Sequence, residues 1–282
     1  MKRLSYFSSL VALAFCSISV FSLSSCTRLG VIARNLFNAT EDSDSVSVDE
    51  YLEESSWHSF TDERYNVHRK KGSQDYSYIF DCSGLNSNQA LDESIMEWVA
   101  ECIGYEGTAH FANPKELFNA AIDQSSADNE DEAFEQEEEF TKIFENENCV
   151  TLQCSGYVYY EGAAHPMSWI KAITIRKSDG HRFQNDELIS SWESVRPMAI
   201  AGLMQYFEVS SSAELEEELF LDGPMSVNLG VPQMGLYLTE KGLSGMYQQY
   251  EIAAYACGMP DFTIPYPKAK RIMTDQAVKL LE

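Results

Sequence analysis

The stretch YYEGAAHPMSWIKAITIRKSDG, Tyr159 to Gly180, holds the side chain best suited to chemistry, His165. An imidazole in a Gly-Ala-Ala-His-Pro connection titrates near neutral pH and can act as general acid, general base or metal ligand. Each of those roles needs partners. The five histidines, His58, His68, His110, His165 and His181, occur singly, none with a second histidine three or four residues away. No G-x-S-x-G elbow, P-loop, G-x-G-x-x-G or H-E-x-x-H occurs. Adjacent carboxylates such as Asp186-Glu187 suit acid–base work, but 44 acids make such pairs inevitable. We therefore assign no catalytic residue, no metal site and no cofactor. His165 with Tyr247, Tyr250, Tyr255 and Tyr266 forms the candidate binding surface, for a glycan by stacking or for a protein. The competing reading is that these tyrosines pack a hairpin against the last loop.

Thiol chemistry is limited by position. Beyond Cys16 and Cys26 the sequence holds Cys82, Cys102, Cys149, Cys154 and Cys257. An odd number leaves at least one unpaired within the chain. Cys149 and Cys154 share one strand-like run, NCVTLQCSGYVYY. Five strand steps separate them by roughly 16 Å and place them on opposite faces, beyond the reach of a disulfide at about 7 Å. Cys82 and Cys102 flank a helix and are left as a possible pair. No spacing fits a zinc site.

Compartment is read from the first residues. MKRLSYFSSLVALAFCSISVFSLSSC begins with Lys2 and Arg3 and continues as an apolar run punctuated by serines. That is the layout of a signal peptide, too interrupted for a membrane span of about 20 residues. Its Leu-Ser-Ser-Cys ending resembles the lipobox of bacterial lipoproteins, in which the cysteine is acylated and becomes the mature N-terminus. Residues 1–25 are thus predicted to be removed and Cys26 lipidated, anchoring the chain to a lipid bilayer. By the same resemblance, Thr27 in place of Asp after the cysteine favours the outer membrane over the inner. No acidic cluster directly follows Cys26, which favours the periplasmic side over the cell surface. The formal net charge is −24, and losing Lys2 and Arg3 makes it more acidic. Such a chain repels nucleic acid phosphates and steers cationic partners toward itself.

The remaining chain divides by composition. Residues 26–50, ending NATEDSDSVSVDE, read as an acidic tether. YSYIFDC is a strand. Leu91, Ile95, Trp98, Val99 and Cys102 recur at helical spacing after cap candidates Asn86 to Asn88. Asn113 and Pro114 open another helix. Between Asp128 and Glu147 ten acids face one lysine, Lys142; this stretch is read as a solvated helix or mobile loop, with Phe134, Phe140 and Phe144 packing part of it, and the competing reading is an electrostatic landing site for a basic protein. Two alternating strands follow around GAAHPM. A helix is expected from about Val195, then a hairpin about Glu240-Lys241-Gly242, and a final helix from Pro267. Helices and strands do not alternate as βαβ units. The fold class is α+β, with antiparallel sheets, packed helices and two subdomains, 51–170 and 171–282.

Two blocks carry a resemblance. YVYYEGAAHPMSWIKAITIRKSDGHRFQNDELI and LYLTEKGLSGMYQQYEIAAYACGMPDFTIPY resemble segments of the RsiV-type extracellular domain family. The likeness covers roughly residues 60–282 and is most specific from Leu236 to Tyr266. Related domain pairs occur in RsiV anti-sigma factors, before the catalytic domain of PdaC-type peptidoglycan deacetylases, and in small lipoproteins. Ala163 stands where the family has a second glycine. The resemblance implies an α+β fold and, through RsiV, a lysozyme-binding module. A lipobox in place of a sigma-binding segment and membrane span argues against sigma-factor control. The expectation is a non-enzymatic lipoprotein facing the periplasm and binding a lysozyme-like protein, peptidoglycan or another envelope protein. Alternatives are an enzyme acting on peptidoglycan or glycans, with His165 in a cleft, and a scaffold for a neighbouring envelope enzyme.

Overall fold

Aromatic residues at every second position build the first sheet. The structure, a computed structural model, describes residues 57–125 and 133–282; the signal segment, Cys26 and the tether lie outside the described residues. β1 (Arg64–Lys71) and β2 (Gln74–Asp81) form a hairpin. Tyr76, Tyr78 and Phe80 of β2 are buried, while Asp75, Ser77, Ile79 and Asp81 take the other face. Period-two alternation assigns one set to the core and the other to solvent.

Two helices then cross the buried face. α1 (Gln89–Cys102) starts where the Asn88 side chain accepts the Leu91 amide, and Leu91, Ile95, Trp98, Val99 and Cys102 are buried, as predicted. α2 (Pro114–Gln124) has Asn113 as cap and Pro114 in its first turn. Asn and Pro at these positions satisfy or dispense with the orphan amides of a helix start.

The acidic stretch corrects the sequence reading. Residues 134–145 are neither helix nor loop but β3 (Phe134–Glu145), the central strand of a five-stranded sheet ordered β1-β2-β3-β4-β5. Glu138 and Phe140 are buried on the helix-covered face, and Glu135, Glu137 and Glu139 point the other way. β3 runs parallel to β2, and the crossover between them carries α1 and α2. The other strand pairs of the sheet are antiparallel: β4 (Cys149–Tyr160) with β3, and β5 (Met167–Arg176) with β4. β5 runs through residue 170, so the first sheet continues past the 170/171 division drawn from the sequence.

The second half is helical around a small sheet. It contains α3 (Asn185–Leu188), α4 (Trp192–Tyr206), α5 (Ser212–Glu218) and α6 (Met225–Asn228). The antiparallel strands β6 (Leu236–Leu238), β7 (Gly242–Met246) and β8 (Asp261–Pro265) follow. α4 begins three residues before Val195 because Ser191 caps it. The single C-terminal helix expected from Pro267 is two, α7 (Tyr266–Ala269) and α8 (Asp275–Lys279). Between them the chain pairs with the end of α3, Ser190 N to Ile272 O at 2.8 Å and Thr274 N to Leu188 O at 3.2 Å. Tertiary pairing interrupts a pattern that is locally helical.

Trp57–Glu282 is one compact unit with two apolar cores. The first joins Phe80, Ile95, Phe118, Phe140 and Leu152. The second joins Val195, Leu203, Leu243, Tyr247, Phe262 and Ala277. β4 serves both: Cys154 lies in the first core and Cys149 in the second. The two thiols therefore occupy opposite faces, as strand alternation requires. The architecture is α+β with predominantly antiparallel sheets.

Candidate functional site

The edge of β5 is sealed by a loop, and the sealing places three of the five predicted surface residues together. β5 is an outer strand whose free amides would invite pairing with another chain. Gln249 Oε1 accepts the Ser168 amide at 2.9 Å; Gln248 accepts the Ile170 amide at 3.0 Å and donates to the Ile170 carbonyl at 2.8 Å. Tyr250, next in the chain, adopts φ +64° and is 51% exposed. The His165 ring stacks on Tyr255 with centroids 3.7 Å apart, and its Nε2 lies 3.4 Å from the Tyr250 hydroxyl. Its Nδ1 lies 3.1 Å from the Pro166 carbonyl, which also accepts the Tyr255 hydroxyl. Among the described residues His165 thus meets two phenols and a backbone carbonyl, and no carboxylate orients it.

Tyr247 and Tyr266 do not join them. Tyr247 is 1% exposed in the second core, its hydroxyl donating to Gly230 O at 2.8 Å. Tyr266 is half-buried against the same core and donates to Thr239 O. The surface reading is corrected for both: their rings pack against the core and their hydroxyls are taken up by backbone carbonyls. Among the described residues no group of three or more His, Cys, Asp and Glu could hold a metal ion. A polar cleft of ≈ 550 Å³ lies among Asn86, Asn148, Arg176, Lys177 and Lys279. There Lys177 is paired with Glu145 and Arg176 with Asp179, each at 2.7 Å.

A larger surface was hidden in the acidic stretch. On the face of the first sheet away from α1 and α2, Glu135 stands opposite Tyr159 of β4 and Asp75 of β2. Glu137 stands opposite Tyr157 and Ser77, and Glu139 opposite Ser155 and Ile79. Tyr157 donates to Glu135 at 2.9 Å, and that bond, ahead of burial, raises its hydroxyl pKa to about 12. Of the basic side chains of this face, Arg64, His68 and Lys70 lie on the β1 edge, where Asp75 takes His68 at 2.7 Å and Lys70 at 3.2 Å, and Arg176 at the end of β5 pairs with Asp179. Among the described residues no ion pair reaches Glu135, Glu137 or Glu139. Three uncompensated carboxylates in a row, rimmed by Tyr157 and Tyr159, make a cation-seeking strip.

The opposite face of β3 buries one carboxylate outright. Glu138 is 1% exposed, with Gln136 donating at 2.8 Å and the Cys154 thiol at 3.4 Å. Burial outweighs these hydrogen bonds and raises its pKa above the ordinary 4.5. The folded chain thus holds this proton more tightly than the unfolded chain. Its contribution is complete below about pH 4.5 and is lost as pH rises through the raised folded value. Thermal melts should show wild type losing stability relative to Glu138→Gln as pH rises above about 4.5. A pH-independent difference between the two would contradict this.

The cysteines also need one correction. Cys82 follows β2 ahead of α1 and Cys102 ends α1, a helix about 20 Å long, and the pair left open above is not bonded. Cys82 and Cys149 are buried thiols whose pKa is pushed up by burial, Cys149 to about 12.

Comparison with known proteins bears on the second half of the chain. Residues 201–267 match DUF3298, a family described as a protein of unknown function. The DUF3298 segment runs from within α4 through β8, and so includes Tyr250 and Tyr255 but neither His165 nor the β3 glutamates. No curated protein matches the chain. Among solved structures, a DUF3298 family member from Bacteroides fragilis NCTC 9343 is similar over 77% of this chain and 95% of its own, with TM-score 0.59 and 15% identity. A DUF3298 family protein from Pseudomonas aeruginosa PAO1 is similar over 76% and 94%, with TM-score 0.55 and 16% identity. At these identities the likeness is one of fold, and it extends across both cores.

Proposed function

We propose that this chain is a non-catalytic binding module, tethered to the outer membrane through a lipidated Cys26 and facing the periplasm, whose open sheet face engages a basic envelope protein of the lysozyme kind. The observation that carries this reading is the row Glu135, Glu137 and Glu139, free of ion pairs among the described residues. A net charge of −24 adds long-range attraction for a cationic partner, and exposed Tyr159, opposite Glu135, supplies apolar contact on the same face. The RsiV-like blocks support the same choice of partner. The enzyme alternative has weaker support: among the described residues His165 meets Tyr250, Tyr255 and a carbonyl, and it lies outside the polar cleft.

Calorimetric titration with a basic lysozyme at low and moderate salt tests the reading. Binding should be measurable at low salt and weaken steeply as the screening length falls to about 8 Å at physiological ionic strength. Absence of binding at low salt would remove lysozyme as the partner.

A further inference from the structure

The first core holds two cysteines that the sequence does not connect. Cys102 is the last residue of α1 and Cys154 lies in the middle of β4. Lys171 of β5 is the register partner of Cys154, and its ammonium donates to the Cys102 carbonyl at 3.0 Å. The helix end is therefore pinned over the strand pair that carries Cys154. Both thiols are buried in the same core beneath that pinned helix end, and both are free in the structure. The other described cysteines are placed elsewhere: Cys149 on the opposite sheet face, Cys82 after β2 and ahead of α1, and Cys257 in the turn Tyr255–Cys257 of the second half.

We infer that Cys102 and Cys154 form a disulfide when the chain folds under oxidising conditions, stapling the C-terminal end of α1 to β4. The reaction is thiol–disulfide exchange with an external disulfide such as oxidised glutathione. One protein thiolate attacks the external disulfide and releases one glutathione thiol. The second protein thiolate then attacks the mixed disulfide, forming the S–S bond and releasing the other glutathione. The two protein thiols lose two protons and two electrons, and the electrons reduce one glutathione disulfide to two thiols. Exchange takes place before the core closes, because both sulfurs are buried afterwards. The loop so closed spans residues 102–154, contains α2 and β3, and restricts the unfolded chain. An exported protein meets the necessary oxidant, but the inference rests on core geometry and does not need the proposed compartment.

The test refolds the reduced full-length chain in a glutathione redox buffer, alkylates it after denaturation without reductant, and maps the peptides by mass. The expected result is a Cys102–Cys154 cross-linked peptide two hydrogens lighter than the sum of its parts, with Cys82, Cys149 and Cys257 alkylated. Cys102→Ser should leave Cys154 alkylated, and Cys154→Ser should leave Cys102 alkylated. Wild type refolded in the presence of reductant should melt about 10 °C below wild type refolded in the glutathione buffer. Alkylation of both Cys102 and Cys154 in folded wild-type protein, or a bond from either to another cysteine, would overturn the inference.

Discussion

Gly180→Ala is expected to lower the Tm by about 10 °C or more. Gly180 closes the turn after β5 at φ +70°, with its amide donating to Arg176 O at 2.9 Å. An added β-carbon would stand 2.3 Å from the Ala90 carbonyl oxygen and 2.9 Å from its carbon. Both atoms belong to the backbone of α1, so no side chain can swing aside. The left-handed conformation alone costs an L-residue about 1–2 kcal/mol. The contact adds the cost of moving α1 away from the turn, together with the apolar residues it buries. A total above about 3 kcal/mol corresponds to roughly 10 °C for a chain of this size. Gly162→Ala is the matched control: φ is +86°, but no atom lies within 4 Å of the added carbon. Circular-dichroism melts should show a small shift for Gly162→Ala and a large one for Gly180→Ala. Equal shifts would mean that the turn does not press on α1.

The second large effect is expected at Phe140. Its side chain is fully buried, stacked on Phe118 at 5.9 Å and edge-on to Trp98 at 5.8 Å. Phe140→Ala should destabilise by about 3–5 kcal/mol, through lost burial and the cavity left between β3 and the two helices. Urea titrations should show this as a lower midpoint with an unchanged slope. Were the acidic stretch a solvated loop, the same substitution would change stability by less than about 0.5 kcal/mol. The experiment therefore separates a central strand from a surface segment.

Why that strand was not legible can be stated residue by residue. Of the positions facing the helices, Phe134 and Phe140 are apolar, but Gln136 and Glu138 are not, and Glu135, Glu137 and Glu139 fill the gaps. Period two is present, but charge density conceals it, since a glutamate in a core position reads as solvent-facing. By contrast α1 was legible because Leu91, Ile95, Trp98 and Val99 repeat at helical spacing behind an Asn cap. The β6–β7 hairpin was legible from its glycine and flanking apolar residues. The C-terminal helix was overread, since only tertiary pairing with Ser190 and Leu188 divides it. Of the tyrosines, Tyr247 and Tyr250 sit three residues apart and read alike. Only the loop that seals β5 turns one inward and the other to solvent. The Cys102–Cys154 contact joins a helix end to a distant strand, which local pattern cannot reveal.

The central claim is that the open face of the first sheet, rather than net charge in general, carries affinity for a cationic partner. The most direct measurement compares two triple variants in the lysozyme titration at low salt. Glu135→Gln, Glu137→Gln and Glu139→Gln together remove three carboxylates from the β3 strip. Glu193→Gln, Glu217→Gln and Glu218→Gln together remove three from exposed positions on α4 and α5. Both change net charge equally, so they share any loss of long-range attraction. The β3 variant is expected to bind at least about tenfold more weakly than the control, a difference of about 1.4 kcal/mol, with a shallower dependence on salt. Equal affinities for the two variants would contradict the assignment of binding to this face.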